Sequence, residues 1–309
     1  MYPLKFEPIY FQKIWGGNHL QELKNNVPEG TIGESWEISC HKNGVSIVSN
    51  GRFKGVTLKE VIKREGKHIL GDYKRDDFPL LLKLISTSGK LSVQVHPDDI
   101  YGQKIEGDNG KTEAWYVLHA EVGASLVLGT KDCTKEEFKN AIKNSTLDNY
   151  LNVVPVKAGD VFLVNCGLIH AIGEGILLLE VQQNSDITYR VYDYNRGREL
   201  HLEKALEVAN LKLKSHRLEG QAYGNSDYKI TGYVKCPYFS LDLYDIYSQI
   251  EENTEGKKFF LYTCIEGEGK IEYSKGEELI IKGESILIPS SLGHFNIVGQ
   301  LKLIKTYVL

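Results

Sequence analysis

Between residues 91 and 99 the chain reads Leu91-Ser92-Val93-Gln94-Val95-His96-Pro97-Asp98-Asp99. In an extended strand alternate side chains share a face, so Ser92, Gln94 and His96 point one way and Val93 and Val95 the other. Such a strand commonly turns its polar face to solvent, but two further motifs offer this face partners. Lys111-Thr112-Glu113 enters the apolar stretch Trp115–Leu118 with Lys111 and Glu113 on a common face, and His170 follows the strand-like segment Lys157–Asn165. Gln94, His96, Glu113 and His170 together offer an amide oxygen, two imidazoles and a carboxylate. That set suits Zn²⁺ and also fits Fe²⁺ or Mn²⁺. With no thiolate among them, a catalytic ion with an open position is expected rather than a closed structural site. His19, His41, His68, His119, His201 and His216 lack comparable partners in sequence and are expected to be structural.

Short strands must position these groups. Pro79–Ile85, Leu91–His96, Trp115–His119, Val161–Val164, Ile176–Gln182 and Ser285–Ile288 are brief, rich in Val, Leu, Ile and aromatics, and bounded by turn residues. Helices are expected at Thr57–Ile69, where Thr57 and Glu60 form a capping box, at Thr134–Tyr150, and at Leu202–Ala209.

An internal repeat organises the chain. Gly159 leads through an apolar strand to His170, and Gly283 leads through Ser285–Ile288 to His294, eleven residues on in both cases. Upstream, Tyr116–Gly123 resembles Tyr262–Gly269. The copies lie 146 residues apart there and 124 at the histidines, and the difference of 22 approximates a helical insertion at about 131–151. Aligned on those glycines, Phe259 falls opposite Glu113, and Phe239–Tyr244 opposite Leu91–His96. The second copy then keeps one ligand type of four and is expected to bind no metal. The Gly-to-His spacing resembles the second signature motif of cupin barrels. It implies a mainly β fold of two cupin-type antiparallel jelly-roll barrels with a few helices: residues 1–220 carry the metal and the insertion, and residues 221–309 form a metal-free partner.

Composition fits a globular protein. Of 309 residues 41% are hydrophobic and 25% charged, and the net charge of −4 disfavours general binding to nucleic acid or anionic membrane. Five scattered cysteines without a CxxC pair suggest no disulfide framework. With no signal-like apolar segment and no run of about 18 apolar residues, a soluble cytoplasmic protein is expected.

The segments Leu91–Asp99, Gly110–Tyr116, Gly167–Gly173 and Glu180–Arg196 closely resemble type I mannose-6-phosphate isomerases in their short bacterial form. Lys13-Ile14-Trp15-Gly16-Gly17 and Ile32-Gly33-Glu34-Ser35-Trp36-Glu37 are similar to that family's opening. The resemblance covers the first two-thirds well; the last third matches mainly in architecture. It implies one Zn²⁺ per chain held by Gln94, His96, Glu113 and His170, a catalytic Arg190 within Tyr189–Arg196, and substrate contacts from Ser92 and Lys111. The implied reaction interconverts mannose 6-phosphate and fructose 6-phosphate by proton transfer through a cis-enediolate, and the partner is a small sugar phosphate. A monomer is preferred. Glu180 and Asp186 flank the site without fixing the general base. Two other readings compete. His96, Glu113 and His170 also satisfy the facial triad of a cupin Fe²⁺ oxygenase, although Gln94 and Arg190 then lack a role. A sugar-binding regulator needs a DNA-reading helix-turn-helix, and no helix here offers a basic recognition face.

Overall fold

Apolar runs of four to eight residues closed by glycine turns become antiparallel strands throughout this chain. The computed structural model describes residues 1–75 and 77–309 and is mainly β, with five α-helices among the described residues. One sheet has six strands, in the order Val161–Val164, Glu113–Ala120, Ile176–Gln183, Leu80–Thr87, Ile32–Ile38 and Ile9–Gln12. A second has five: Leu151–Pro155, Ser125–Thr130, His170–Ile172, Val93–Val95 and Tyr189–Tyr192. Trp115, Val117, Phe162 and Leu178 of the first pack with Leu126, Leu128 and Ile172 of the second, so the two sheets share one apolar core. Each such side chain, fully buried, stabilises the fold by about 1.5–3 kcal/mol.

The outer face of the five-stranded sheet explains how a polar strand face can turn inward. Val93 and Val95 pack with Phe138, Ala141 and Ile142 of the helix Lys135–Lys143 and with Ala205 of the helix Leu202–Val208. The apolar face of residues 91–96 is therefore covered by helices, and its alternate residues are left to the interior. The helix Lys135–Lys143 belongs to the expected insertion and is followed by a 3₁₀ turn at Leu147–Tyr150. Thr134 and Glu137 close a full capping box at its start, as Thr57 and Glu60 do for the helix Leu58–Leu70, each cap contributing about 1 kcal/mol. Two helices, Leu20–Leu23 and Asp99–Glu106, were not expected from the sequence.

The other face of the six-stranded sheet is equally apolar. Leu80, Leu82, Leu84, Leu177 and Val181 pack against Leu241, Phe259, Leu261 and Leu287. Leu241, Leu261 and Leu287 belong to a ten-stranded sheet, with Phe259 just before one of its strands; the sheet contains the C-terminal strands and also takes in Leu4–Glu7, which pairs with Ser285–Ile288 through Leu4↔Leu287. Strands buried on both faces read as continuous apolar runs, and Leu80–Thr87 is buried throughout.

The ladders correct the register expected for the repeat. Val164 pairs with Glu113 and Ile288 with Phe260, so Phe260, not Phe259, stands opposite Glu113. His170 pairs with Gln94 and His294 with Asn253, so the counterpart of Val93–Val95 is Gln249–Asn253 and not Phe239–Tyr244. The misalignment arose because Gly123 sits in a turn with φ +88°, whereas Gly269 lies inside the long strand Phe260–Tyr273, paired with Gly299. No helix among the described residues is long and apolar enough to cross a membrane.

Candidate active site

Adjacent strands bring the site together. Glu113 opens its strand in the six-stranded sheet, while Gln94 and His170 are direct ladder partners in the five-stranded sheet and His96 follows two residues after Gln94. His96, Glu113 and His170 are all buried, and their ligand atoms lie within 4.8 Å of one another. His96 Nε2 is 3.5 Å from Glu113 Oε2, His170 Nε2 is 3.6 Å from Glu113 Oε1, and the Gln94 amide is 3.3 Å from His170 Nε2. In a tetrahedral zinc site with bonds near 2.1 Å, neighbouring ligand atoms stand about 3.3–3.4 Å apart.

The tautomers are fixed from behind. His96 Nδ1 donates to the Ile187 carbonyl at 2.7 Å and His170 Nδ1 to the Leu168 carbonyl at 2.9 Å, so each ring presents an unprotonated Nε2 inward. Burial pushes both imidazoles below their ordinary value, His170 to about 4 and His96 well down, which keeps them neutral. Glu113 Oε1 is buried with no hydrogen-bond partner. A carboxylate whose two oxygens each face a neutral imidazole nitrogen, one of them orphaned, is a donor set that fits a divalent ion.

Lys111 also reaches this cluster, its Nζ 3.2 Å from His96 Nε2 and 2.5 Å from Glu113 Oε2. Burial opposes its charge, but Glu113 and Glu180 outweigh that and hold the ammonium above the ordinary lysine value. Glu180 moves the other way: burial and the nearby Glu113 push its carboxyl up, and its Oε1 has no hydrogen-bond partner although Trp115 Nε1 donates to its Oε2 at 3.0 Å.

A cleft of about 320 Å³ opens over these groups, lined among others by Ser92, Gln94, Lys111, Glu180, Asp186 and Arg190. Arg190 donates from Nε to Ser92 Oγ at 3.2 Å and from Nη1 to the Glu199 carbonyl at 2.7 Å, and its backbone N–H donates to His201 Nδ1 at 3.2 Å. The loop that follows is held by Asp193, which accepts from both Arg196 and Arg198. Every site residue expected from the sequence therefore meets either the buried cluster or the cleft above it.

Lys83 was not anticipated. It is the single charge in Leu80-Leu81-Leu82-Lys83-Leu84-Ile85, it is buried, and it lies 3.6 Å from Glu180 and 3.9 Å from Asp186 and Glu34. A lysine inside an otherwise apolar strand was the available signal. Lys13, Glu34 and Arg198 complete the charged wall of the cleft.

The family model "Phosphomannose isomerase type I, catalytic domain" matches residues 4–112, and "Mannose-6-phosphate isomerase, cupin domain" matches residues 229–308. The chain is 39% identical to the mannose-6-phosphate isomerase ManA of Bacillus subtilis, each covered to 99%. It belongs to the type I mannose-6-phosphate isomerase family of enzymes. It is also 37% identical to the mannose-6-phosphate isomerase of Streptococcus mutans, covering 97% of this chain and 98% of that one. The crystal structure of the Bacillus subtilis mannose 6-phosphate isomerase superposes with a TM-score of 0.94 at 34% identity and full coverage of both chains. The catalytic-domain match stops one residue short of Glu113; here His170 joins Gln94 by strand pairing, and Glu113 meets His96 and His170 from the facing sheet.

Proposed function

We propose that this chain is a metal-dependent aldose–ketose isomerase that interconverts mannose 6-phosphate and fructose 6-phosphate. The observation that carries the reading is the buried His96–Glu113–His170 cluster, with its orphaned carboxylate oxygen, next to a charged cleft that Gln94 and Lys111 line, in a member of this family. Residues 1–220 form the metal-binding cupin-type jelly-roll barrel, and residues 221–309 form a second barrel with no assigned ion. His96, Glu113 and His170, with Gln94 as fourth ligand, hold one Zn²⁺, which supplies Lewis-acid stabilisation of charge developing on a substrate oxygen.

The chain's own groups do the rest. Arg190 is a planar, permanently charged fork at the cleft, oriented by Ser92 and the Glu199 carbonyl toward the oxygens where an enediolate accumulates charge. Lys111 holds a second positive charge beside Glu113 and serves the substrate's hydroxyl or phosphate oxygens. Moving a proton between C2 and C1 needs a carboxylate or another base within reach of both carbons. Glu180 and Asp186 line the cleft, and the substitutions Glu180→Gln and Asp186→Asn separate their roles. The protein works as a cytoplasmic monomer on a small sugar phosphate.

The deciding experiment is a coupled assay of purified protein with mannose 6-phosphate before chelation, after chelation and with Zn²⁺ restored. Fructose 6-phosphate formation that disappears with the ion and returns with it establishes reaction and metal together. Absence of turnover with every divalent ion tried overturns the proposal.

A further inference from the structure

His19 and His119, expected from the sequence to be structural, meet on the opposite side of the six-stranded sheet's second strand from Glu113's end. His19 and Glu22 sit one helical turn apart around the helix Leu20–Leu23, anchored by the buried Leu20 and Leu23. His119 lies near the end of Glu113–Ala120, paired with Leu177 next to a register shift. The two imidazole rings stack with centroids 4.4 Å apart, and ligand atoms of His19, Glu22 and His119 lie within 4.8 Å of one another.

The hydrogen bonds are those of an incomplete coordination shell. His19 Nδ1 is 2.9 Å from Glu22 Oε1, while His19 Nε2 is 3.2 Å from Glu121 Oε1. A neutral imidazole can donate to only one of two carboxylates, and the other nitrogen then faces an anion with its lone pair. The His119 side chain makes no hydrogen bond among the described residues: Nε2 is buried and unpartnered, and Nδ1 stands 3.6 Å from Glu22 Oε2. A cation between these groups takes the lone pairs of His19 Nδ1 and His119 Nδ1 and the charge of Glu22, leaving His19 Nε2 to donate to Glu121, and the spacings of 2.9 and 3.6 Å bracket the separation of about 3.3 Å between ligand atoms of a tetrahedral zinc centre.

We propose that His19, Glu22 and His119 form a second binding site for a divalent ion of the Zn²⁺ class, with Glu121 as the outer carboxylate that orients His19. Carboxylate–imidazole–metal relays of this form fix the tautomer and strengthen the ligand. Glu121 reaches its place across Gly175, whose φ is +72° and where a Cβ would come within 2.8 Å of Glu121 Oε2. A neighbouring cavity of about 360 Å³, lined by Glu22, His119, Lys282 and Lys302, leaves room for a water at the remaining position. The ion clips the residue 19–23 segment to the six-stranded sheet. That segment also reaches the C-terminal sheet, where Lys282 Nζ donates to the Glu22 carbonyl at 2.8 Å.

The test is Zn²⁺ uptake by the chelator-stripped full chain against a competing chromophoric indicator. Three proteins are compared: wild type, His19→Gln/His119→Gln and His96→Gln/His170→Gln, with circular dichroism to verify folding. The wild type is expected to take up one more ion per chain than His19→Gln/His119→Gln, and Zn²⁺ is expected to raise the Tm of His96→Gln/His170→Gln. Equal uptake by wild type and His19→Gln/His119→Gln overturns the second site. That difference of one ion stands whether or not the first site is loaded, so a failure of the proposed isomerase centre appears separately, as uptake unchanged by the His96/His170 substitutions. Should His96→Gln/His170→Gln not fold, the first comparison alone decides.

Discussion

The two halves of the chain place different chemistry on the same ladder. In the first, Glu180 pairs with Lys83 on one side and Trp115 on the other; in the second, Lys305 pairs with Asp242 and Tyr262. Charge is reversed at both polar positions, and Phe260 replaces Glu113. The second interior pairs its buried charges, although the Tyr262, Ser240 and Thr306 hydroxyls find no partner among the described residues. Lys305 Nζ donates to both oxygens of Glu252 at 2.9 Å, Tyr244 donates to the same carboxylate at 2.6 Å, and the ammonium lies 3.8 Å from the centroid of the Phe260 ring. The first interior leaves Glu113 Oε1 and Glu180 Oε1 unpaired. What separates a binding centre from a packed interior here is unpaired carboxylate oxygens, since both halves bury charge and the second leaves only hydroxyls without a partner. A trace of the ligand set survives at the edge of the second half, where the Asn253 amide meets His294 Nε2 at 2.9 Å, as Gln94 meets His170.

The sharpest way to break this comparison is to substitute the paired positions. Glu113→Gln removes the anionic ligand, and with Lewis-acid stabilisation worth several kcal/mol, kcat is expected to fall by about 10³-fold or more, with loss of bound ion. His294→Ala, at the matching edge of the second half, is largely exposed and is expected to leave kcat and ion content within about twofold. Comparable losses from both substitutions would join the halves into one catalytic unit. For the closed interior the readout is stability. Lys305→Met leaves Glu252 buried and uncompensated and is expected to cost about 3–5 kcal/mol in denaturant unfolding, whereas Lys305→Met/Glu252→Leu recovers most of that loss.

These contrasts also show how much was legible in the sequence. Strand alternation around Gln94 and the capping boxes at Thr57 and Thr134 depend on near neighbours, and they appear in the structure where the sequence placed them. Ladder register depends on bulges and turn lengths between distant segments, and the one-residue error that put Phe259 in place of Phe260 came from matching glycines instead of pairs. Lys83 escaped notice because its three carboxylate neighbours come from Glu34, Glu180 and Asp186, far apart in the chain. His19 and His119 are a hundred residues apart and share no motif, so only the fold stacks them.

Arg190 tests whether the open centre acts on charge that develops during the reaction. Arg190→Ala is expected to lower kcat by about 10²-fold while changing KM little, as removal of a donor aimed at developing charge does. Arg190→Lys keeps the charge but loses the fork that joins Ser92 and the Glu199 carbonyl, so only part of the rate should return. A change confined to KM would assign Arg190 to substrate binding.

The smallest expected effect lies at Asp242, the second half's counterpart of Lys83. Burial pushes its carboxyl up to about 6 despite the opposing attraction of Lys305. The folded state therefore binds this proton more tightly than the unfolded chain. Its ionisation weakens the fold as pH rises from the ordinary carboxylate range through about 6, and the penalty is fully present above that. Asp242→Asn should accordingly stabilise the protein at pH 7.5 by about 1 kcal/mol, discounted for partial solvent screening, and the gain should vanish near pH 4. Unfolding curves of both proteins across that range give the difference directly. A gain independent of pH would trace the effect to packing, and a loss at pH 7.5 would show that Asp242 helps hold Lys305 and that the second interior needs both carboxylates.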